Sequence, residues 1–479
     1  MRVSFVIPPS LLGDRDVERV FGCTYGLYPI PNIYMLYAAA VARQQDHAVR
    51  FLDAPVLGLS AQEFATRLGD DDSDAYVFYT VNLAEKNDLA AHALVRRRRS
   101  SVPIVFAGPA PTHHAAAFLV DDNTFVVRGE PELPLAGLLK ALEGGAPGNL
   151  AEIAGLSYRR GEDAAAVPSA VPVKSLDELP FPARDLLEVD RYYNPKIPYR
   201  PFTAMLTSRG CSYPCRYCVP NSLSFARELE FKSTKGKKPP VRVRSAENVI
   251  AELQWLKEHG YRAISMLDDI FIWGLKRHQE ICEALGSLEF KWGCLSRADH
   301  LSEDAVVALK EARCQYVDVG VESFNQAVLD DVHKEVAVEE TMDALERCRR
   351  HGVPVKLNIL IGSSALETAE DVRRNIEIAR QLAPKTVMFG IANPFPGTEW
   401  WDEAKEKGYL LNPEYRPVDV QKSSSIRLPN LDEKKLQELV REANRRWFLR
   451  PAFVAANIGL LARPAELKRA LQSLWKKMS

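Results

Sequence analysis

Arg2–Ile7 alternates apolar and polar positions and stops at Pro8-Pro9, which predicts a first strand closed by a rigid turn. Pro31 to Arg43 carries a helical pattern that ends at Gln44-Gln45-Asp46, and Ala48–Leu52 reads as a second strand. The alternation repeats: Ala75–Tyr79 is β-rich, Asp88–Arg99 helical, Ile104–Ala107 a buried strand before Gly108-Pro109, and Phe125–Val127 another before Gly129-Glu130. Strands separated by helices predict an α/β fold with a doubly wound, Rossmann-like parallel sheet, which takes its ligands beyond the carboxyl ends of the strands. Pro8, Thr80, Val81, Gly108, Pro109, Gly129 and Glu130 fall on that rim. Gly155 to Val173 then reads as a hairpin turning at Gly161, and Leu179 through Pro201, rich in proline and tyrosine, as an ordered linker.

A second series begins at Phe202–Leu206 and continues with Ala263–Leu267, Lys291–Leu295, Tyr316–Val321, Lys356–Ile361 and Thr386–Gly390, each followed by a polar turn and a helical segment. Such units predict a partial or full (β/α) barrel, with active residues at the strand C-terminal ends. Those ends carry Asp268-Asp269, Ser296-Arg297, Glu322-Ser323, Gly362-Ser363 and Asn393-Pro394-Phe395-Pro396-Gly397-Thr398. Asp432–Arg450 is helical, with Asn430 as its expected cap, and further helical segments follow Pro451. The expected organisation is therefore an α/β domain over 1–145, a hairpin and linker over 146–200, a barrel over 201–410 and a helical C-terminal domain over 411–479.

Composition narrows the function classes. The chain has 479 residues, 46% hydrophobic, with 62 Lys+Arg against 63 Asp+Glu. Disorder as the main state is excluded, and a net charge of −1 gives no overall field for nucleic acid, so no nucleic-acid partner is expected. The run Arg96–Arg99 reads as a solvated helix end, and the basic loop Lys232–Pro240 as a solvated insertion rather than a site for an anionic substrate. The first residues hold too short an apolar run for a signal peptide, no segment approaches about 18 consecutive apolar residues, and eight cysteines are too few for a disulfide scaffold. A reducing cytoplasmic location is expected. The last seventeen residues form a basic amphipathic stripe, with Leu467, Leu471, Leu474 and Trp475 at helical spacing, which either packs on its own domain or makes peripheral membrane contact.

Three of the eight cysteines lie within eight residues, in Thr207-Ser208-Arg209-Gly210-Cys211-Ser212-Tyr213-Pro214-Cys215-Arg216-Tyr217-Cys218. Three thiolates on one loop can converge on one metal cluster, whereas a closed zinc or electron-transfer site wants a fourth ligand. The other five, Cys23, Cys282, Cys294, Cys314 and Cys348, sit alone in periodic segments and read as core. The spacing resembles the C-x3-C-x-aromatic-C signature of radical S-adenosylmethionine (SAM) enzymes, with Tyr217 at the aromatic position. The resemblance implies that Cys211, Cys215 and Cys218 hold a [4Fe-4S] cluster whose open iron chelates SAM. It also implies SAM contacts at the strand ends. Asp268 and Asp269 replace an acidic segment that meets the SAM amino group, or else cap the next helix. Tyr217 and Arg297 are implied as SAM contacts, Gly320-Val321-Glu322-Ser323 approach the SAM amino-acid part or ribose, Gly362 lies near the adenine, and Asn393 belongs to a turn that serves either contact or rigidity.

The N-terminal pattern, with Ala107-Gly108-Pro109-Ala110-Pro111-Thr112-His113 and Val127-Arg128-Gly129-Glu130-Pro131-Glu132, is similar to the cobalamin-binding domain that precedes the barrel in many radical SAM proteins. It departs from classical cobalamin domains in lacking Asp-x-His-x-x-Gly, and His113-His114 does not replace it. The implied activity is generation of a 5′-deoxyadenosyl radical and C-methylation of an unactivated carbon of a small or lipid-like metabolite. Ring formation, ring contraction or rearrangement is the alternative within the same architecture, and an iron–sulfur carrier without turnover the alternative outside it. A flavodoxin- or ferredoxin-type electron donor is the implied partner. No residue is nominated as catalytic acid or base.

Overall fold

In the computed structural model, residues 1–13, 29–143, 149–161, 163–168, 173, 175–412, 414 and 423–456 are described. They form two compact units. The first comprises Met1–Ser212, Pro220–Trp273 and Glu283–Trp292, and the second Tyr213–Val219, Gly274–Cys282 and the chain from Gly293.

The first unit opens with five parallel strands, β1 (Arg2–Ile7), β2 (Ala48–Asp53), β3 (Ala75–Tyr79), β4 (Ile104–Ala107) and β5 (Thr124–Val127). They lie in the order β2-β1-β3-β4-β5, which reverses between β1 and β3, so the crevice expected for a ligand opens beside Pro8 and Thr80. Helix Ile33–Gln44 is buried over most of its length and is capped by Asn32, whose side chain accepts the Met35 N–H at 3.2 Å. The hairpin forms as β6 (Leu156–Arg160) and β7 (Asp163–Ala166), turning at Gly161 with φ +68°, and extends the same sheet antiparallel to β5. This unit also holds β8 (Phe202–Met205), β9 (Ser208–Arg209), β10 (Arg242–Val243) and β11 (Ala263–Met266), with β8 parallel to β11 and β9 antiparallel to β10. The linker is fastened from within: Arg184 and Arg244 converge on buried Glu252, Arg184 at 2.6 Å, and the Tyr192 hydroxyl donates to Asp53 at 2.8 Å.

The later barrel strands are β12 (Lys291–Ser296), β13 (Tyr316–Glu322), β14 (Val355–Ile361) and β15 (Thr386–Ile391), parallel in that order. Helix Glu433–Phe448 buries Leu436, Leu439, Val440, Ala443 and Trp447, an i, i+3, i+4 stripe laid on helix Ala369–Leu382 and β15.

Several expectations change. Asp432, not Asn430, caps the C-terminal helix: it accepts the Lys435 N–H at 2.7 Å, while Asn430 donates to the Ala365 carbonyl. Lys232 to Lys235 continue helix Ser222–Lys235 rather than a loop, because nothing breaks the helix before Gly236 adopts φ +67°. In the arginine run, Arg96 turns inward to Asp121 and Arg99 to the carbonyls of Asp71 and Ser73. The expected peripheral membrane contact is withdrawn. No helix among the described residues is long and apolar enough to cross a membrane, the apolar face of Glu433–Phe448 is buried in its own unit, and the basic stripe lies in 457–479, outside the described residues.

Gly293 faces Tyr316 across the β12–β13 ladder, and a Cβ there would lie 2.2 Å from the tyrosine ring. Gly293→Ala is expected to cost roughly 1–3 kcal/mol through overpacking. Chemical denaturation checks this, and the loss should shrink when Tyr316 is also cut to alanine, as a double-mutant cycle would show.

Candidate functional site

The cysteine loop begins where β9 ends. Arg209 pairs with Glu130 at 3.1 Å and Glu132 at 2.7 Å, with a side chain only 2% exposed, and its guanidinium stands over the Tyr37 ring. Across the β9–β10 ladder its partner is Arg242, which bonds the same Glu130, and Arg227 lies 3.9 Å from that carboxylate. Like charges facing each other across strands repel, and Glu130 is what makes this pairing tolerable. Burial alone would raise the Glu130 pKa, but the charges of Arg209, Arg242 and Arg227 outweigh it and hold the carboxyl below its usual range.

Gly210 turns with φ +95°, and a Cβ there would come within 2.9 Å of the Arg227 guanidinium. Its N–H donates to the Ser224 hydroxyl at 3.0 Å and to Asp269 at 3.2 Å. Asp269 also accepts from the Asn221 backbone at 2.7 Å and side chain at 2.9 Å, so one carboxylate ties the residue before Cys211 to a residue beyond Cys218. Burial, then the negative Asp268 beside it, push Asp269 up to about 6 against the pull of its hydrogen bonds. Asp268 is fully buried and accepts from the Thr207 backbone at 2.8 Å and from the Thr207 and Ser208 hydroxyls. Neither acid caps the following helix, which starts only at Leu275.

On the N-terminal rim, the Thr80 hydroxyl donates to Asp88 at 2.8 Å and its carbonyl accepts from Ala110. Gly108, at φ +105°, lies so close that a Cβ would be 2.6 Å from the Thr80 carbonyl. Pro109 begins the short helix Pro109–His113, whose Thr112 hydroxyl accepts the Gly129 N–H at 3.0 Å and donates to the Gly108 carbonyl. Pro8 and Val81 are buried, the loop after Pro8 being pinned by Asn87, which bonds Pro9 and Leu11. This rim packs on helix Ser222–Lys235: Gly129 lies against Glu230, and Arg128 pairs with Glu230 at 2.9 Å. The β3, β4 and β5 ends are thus brought together. His113 and His114 are exposed.

In the second unit, Arg216 is the anchor. Its guanidinium reaches Asp331, Glu403 at 2.5 Å and the face of Trp400, and its carbonyl accepts the Trp400 N–H. Cys215 and Cys218 are half-buried, and the Cys218 N–H closes a turn on the Cys215 carbonyl at 3.2 Å. Arg297 places Nη1 4.0 Å from the Cys215 sulfur. Tyr217 lies against Glu322, and burial, then that carboxylate, raise its phenol well above the usual value. Glu322 has φ +64°, a strained setting for a side-chain-bearing residue, and pairs with Lys334 at 3.0 Å. Gly320 makes room for that pair, since a Cβ would sit 2.6 Å from the Glu322 carboxylate.

Other nominated residues are engaged within the protein. Ser323 accepts from Asn375 at 3.1 Å, and Asn393 bonds Ser423 and Ser425. Gly362, at φ +76°, is pressed on Leu436, and its N–H donates to Glu367 at 2.5 Å. Arg209, Glu132, Arg216 and Glu367 escaped sequence reasoning. The signals available were charged residues inside the cysteine loop and a Glu-x-Glu after a buried strand. Of the isolated cysteines, Cys282, Cys294, Cys314 and Cys348 are buried, and Cys23 lies outside the described residues.

Residues 205–367 match the family model of the radical SAM superfamily. Among curated relatives, an uncharacterized methyltransferase of Pyrococcus horikoshii is 28% identical over 96% of this chain and 95% of its own length. An anaerobic magnesium-protoporphyrin IX monomethyl ester cyclase of Synechocystis is 24% identical over 85% and 78%. Among solved structures, the cobalamin-dependent SAM radical enzyme OxsB with aqua-cobalamin and SAM aligns over 99% of this chain and 70% of its own, with TM-score 0.71 and 17% identity. The radical SAM methyltransferase TsrM from Kitasatospora setae, with cobalamin and [4Fe-4S] cluster, aligns over 85% and 75%, with TM-score 0.64 and 18% identity. At these identities the likeness to the two solved structures is one of fold.

Two predictions follow from the buried acids. Glu130→Ala takes the carboxylate from Arg242 and Arg227, Arg209 keeping Glu132, and is expected to cost about 3–5 kcal/mol in denaturant unfolding. Burial raises Glu367 from 4.5 to about 8, against the Gly362 hydrogen bond. The folded state therefore keeps a proton that the unfolded state has lost. The contribution of Glu367 to stability is full below about 4.5 and is lost as pH rises to about 8. Urea titrations across that range should show a flatter pH dependence for Glu367→Gln than for the wild type.

Proposed function

We infer that the chain is an enzyme of the radical SAM superfamily, built on the fold of its cobalamin-dependent members, and that it acts on an unactivated carbon of a small or lipid-like metabolite by 5′-deoxyadenosyl radical chemistry. The observation that carries this reading is the Cys-x3-Cys-x2-Cys loop, tied down by Arg209 and Asp269 at its entry and by Arg216 within it. Three thiols, half-buried and therefore accessible, suit a cluster with one iron left open.

Cys211, Cys215 and Cys218 would hold the cluster. When bound, the cluster and SAM supply the radical, and cobalamin supplies a methyl carrier. For cobalamin, the rim of β1, β3, β4 and β5 offers the switch-point crevice. The buried amide nitrogen of Asn32, at the start of the helix that follows β1, has no hydrogen-bond partner among the described residues and is a donor suited to a polar ligand. Cobalamin would be held without a histidine from an Asp-x-His-x-x-Gly motif, which the sequence lacks. The chain's own part is geometric: Asp268 and Asp269 fix the loop backbone, Arg297 and Lys334 place positive charge toward Cys215, and the buried strand ends exclude water.

Ring formation or rearrangement is the first reading, because the Synechocystis relative that aligns over 85% of this chain is a cyclase. Methylation is the second reading, favoured by the methyltransferase relative that matches end to end. Anaerobic reconstitution, reduction and addition of SAM should release 5′-deoxyadenosine from the wild type and none from Cys215→Ala. A reconstituted wild type that releases none is a carrier and not an enzyme. Retention of corrinoid on purification with hydroxocobalamin, read by absorbance, tests the cobalamin assignment. Product mass then separates methylation, about +14 Da, from ring closure with loss of two hydrogens, about −2 Da.

A further inference from the structure

We infer that Arg297 is a positioning residue for the cysteine loop, donating a hydrogen bond to the Cys215 sulfur and so raising the reduction potential of a cluster held there. The inference rests on the reading of Cys215 as a cluster ligand.

The guanidinium is held on three sides. Asp299 takes Nε at 2.9 Å and Nη2 at 3.0 Å, the Glu335 carbonyl accepts from Nη2 at 2.9 Å, and the plane lies on the Tyr213 ring, 3.4 Å from its centroid. Tyr213 is itself fixed through a 2.8 Å hydrogen bond to His300. With Nε and Nη2 engaged, Nη1 is the edge presented to Cys215, at 4.0 Å, the outer limit for a donor to sulfur. The side chain is 6% exposed, so water does little to screen it. Lys334 is the second cation that acts on Cys215, but it is paired with Glu322 and has a flexible stem. The arginine is permanently charged and planar, with its orientation set by the clamp.

A donor to a ligand sulfur withdraws electron density from it and favours the form that carries one more negative charge, which is the reduced cluster. The residue acts through Cys215 rather than on a reacting atom. A role confined to the SAM carboxylate would change SAM affinity and leave the potential measured without SAM where it was.

The test is a dithionite titration of the reconstituted full chain without SAM, one electron entering per cluster, followed by electron paramagnetic resonance. In Arg297→Gln the ratio of reduced to oxidised cluster at a fixed solution potential should fall about tenfold, 59 mV for a one-electron couple. Arg297→Lys, which keeps the charge but not the fork, should shift it in the same direction by less. An Arg297→Gln protein with wild-type iron content and an unchanged ratio overturns the inference. Should Arg297→Gln not hold iron, Arg297→Lys decides: a lowered ratio supports the inference, and an unchanged ratio with weakened SAM binding overturns it. A wild-type chain that takes up no iron overturns the cluster reading itself, and this inference with it.

Discussion

Arg209 has its guanidinium out of reach of water, one residue before the glycine that turns the chain into the cysteine loop. The direction in which the chain enters that loop is set by its pairing with Glu130 and Glu132. The two acids follow β5, the last parallel strand of the N-terminal sheet, and the arginine ends β9, so the ion pairs fasten the loop to a strand end about eighty residues earlier in the chain. An apolar plug of the same volume would bury as well, but it would not fix the direction in which Gly210 leaves the strand. The same logic explains Glu130's sharing: Arg242 stands opposite Arg209 in the ladder, and a single carboxylate satisfies both.

The loop is fastened by charged groups at its entry and between its cysteines. In the second unit Arg216, wedged between Cys215 and Tyr217, reaches Asp331, Glu403 and Trp400. Ser364, from the turn after β14, donates to Asp331 at 2.6 Å, so the strand-end turns belong to the same network as the loop. Asp268 and Asp269 do for the first unit what Asp331 and Glu403 do for the second.

Element type was legible because burial on one or both faces forces a period that the sequence must obey: β1, β3 and β4 begin and end where the apolar pattern does. The cysteine loop was legible because its spacing has few structural uses. The site's supports were not, because Glu130 meets Arg209, Asp269 meets Gly210, and Arg216 meets Glu403 only after the chain has folded, and no local pattern records such partners. The strand-end residues nominated from family resemblance illustrate the same limit. Ser323, Asn393 and Gly362 sit at the ends of β13, β15 and β14 as the pattern requires, yet their visible contacts are with Asn375, Ser425 and Leu436. A residue can stand where ligands bind and still be shaped by packing.

Buried ion pairs add little net stability over a hydrophobic replacement, because desolvation offsets most of the Coulombic gain. Their presence around this loop is therefore better explained by direction than by energy. Bidentate arginine–carboxylate contacts fix both distance and plane, as the forked contact of Arg128 with Glu230 and the Arg297 clamp on Asp299 show. The cysteines themselves must remain half-buried to accept a ligand, so they cannot be held by packing over their own side chains. Rigidity has to come from the residues between and beside them, and Arg209, Gly210 and Arg216 occupy those positions. Glu322, kept at φ +64° by its pair with Lys334 and by the room Gly320 leaves, extends the argument to the strand end. The register of β13 on β14 shifts between Gly320 and Glu322, so the left-handed residue falls at an irregularity of the strand that the ion pair then holds in place.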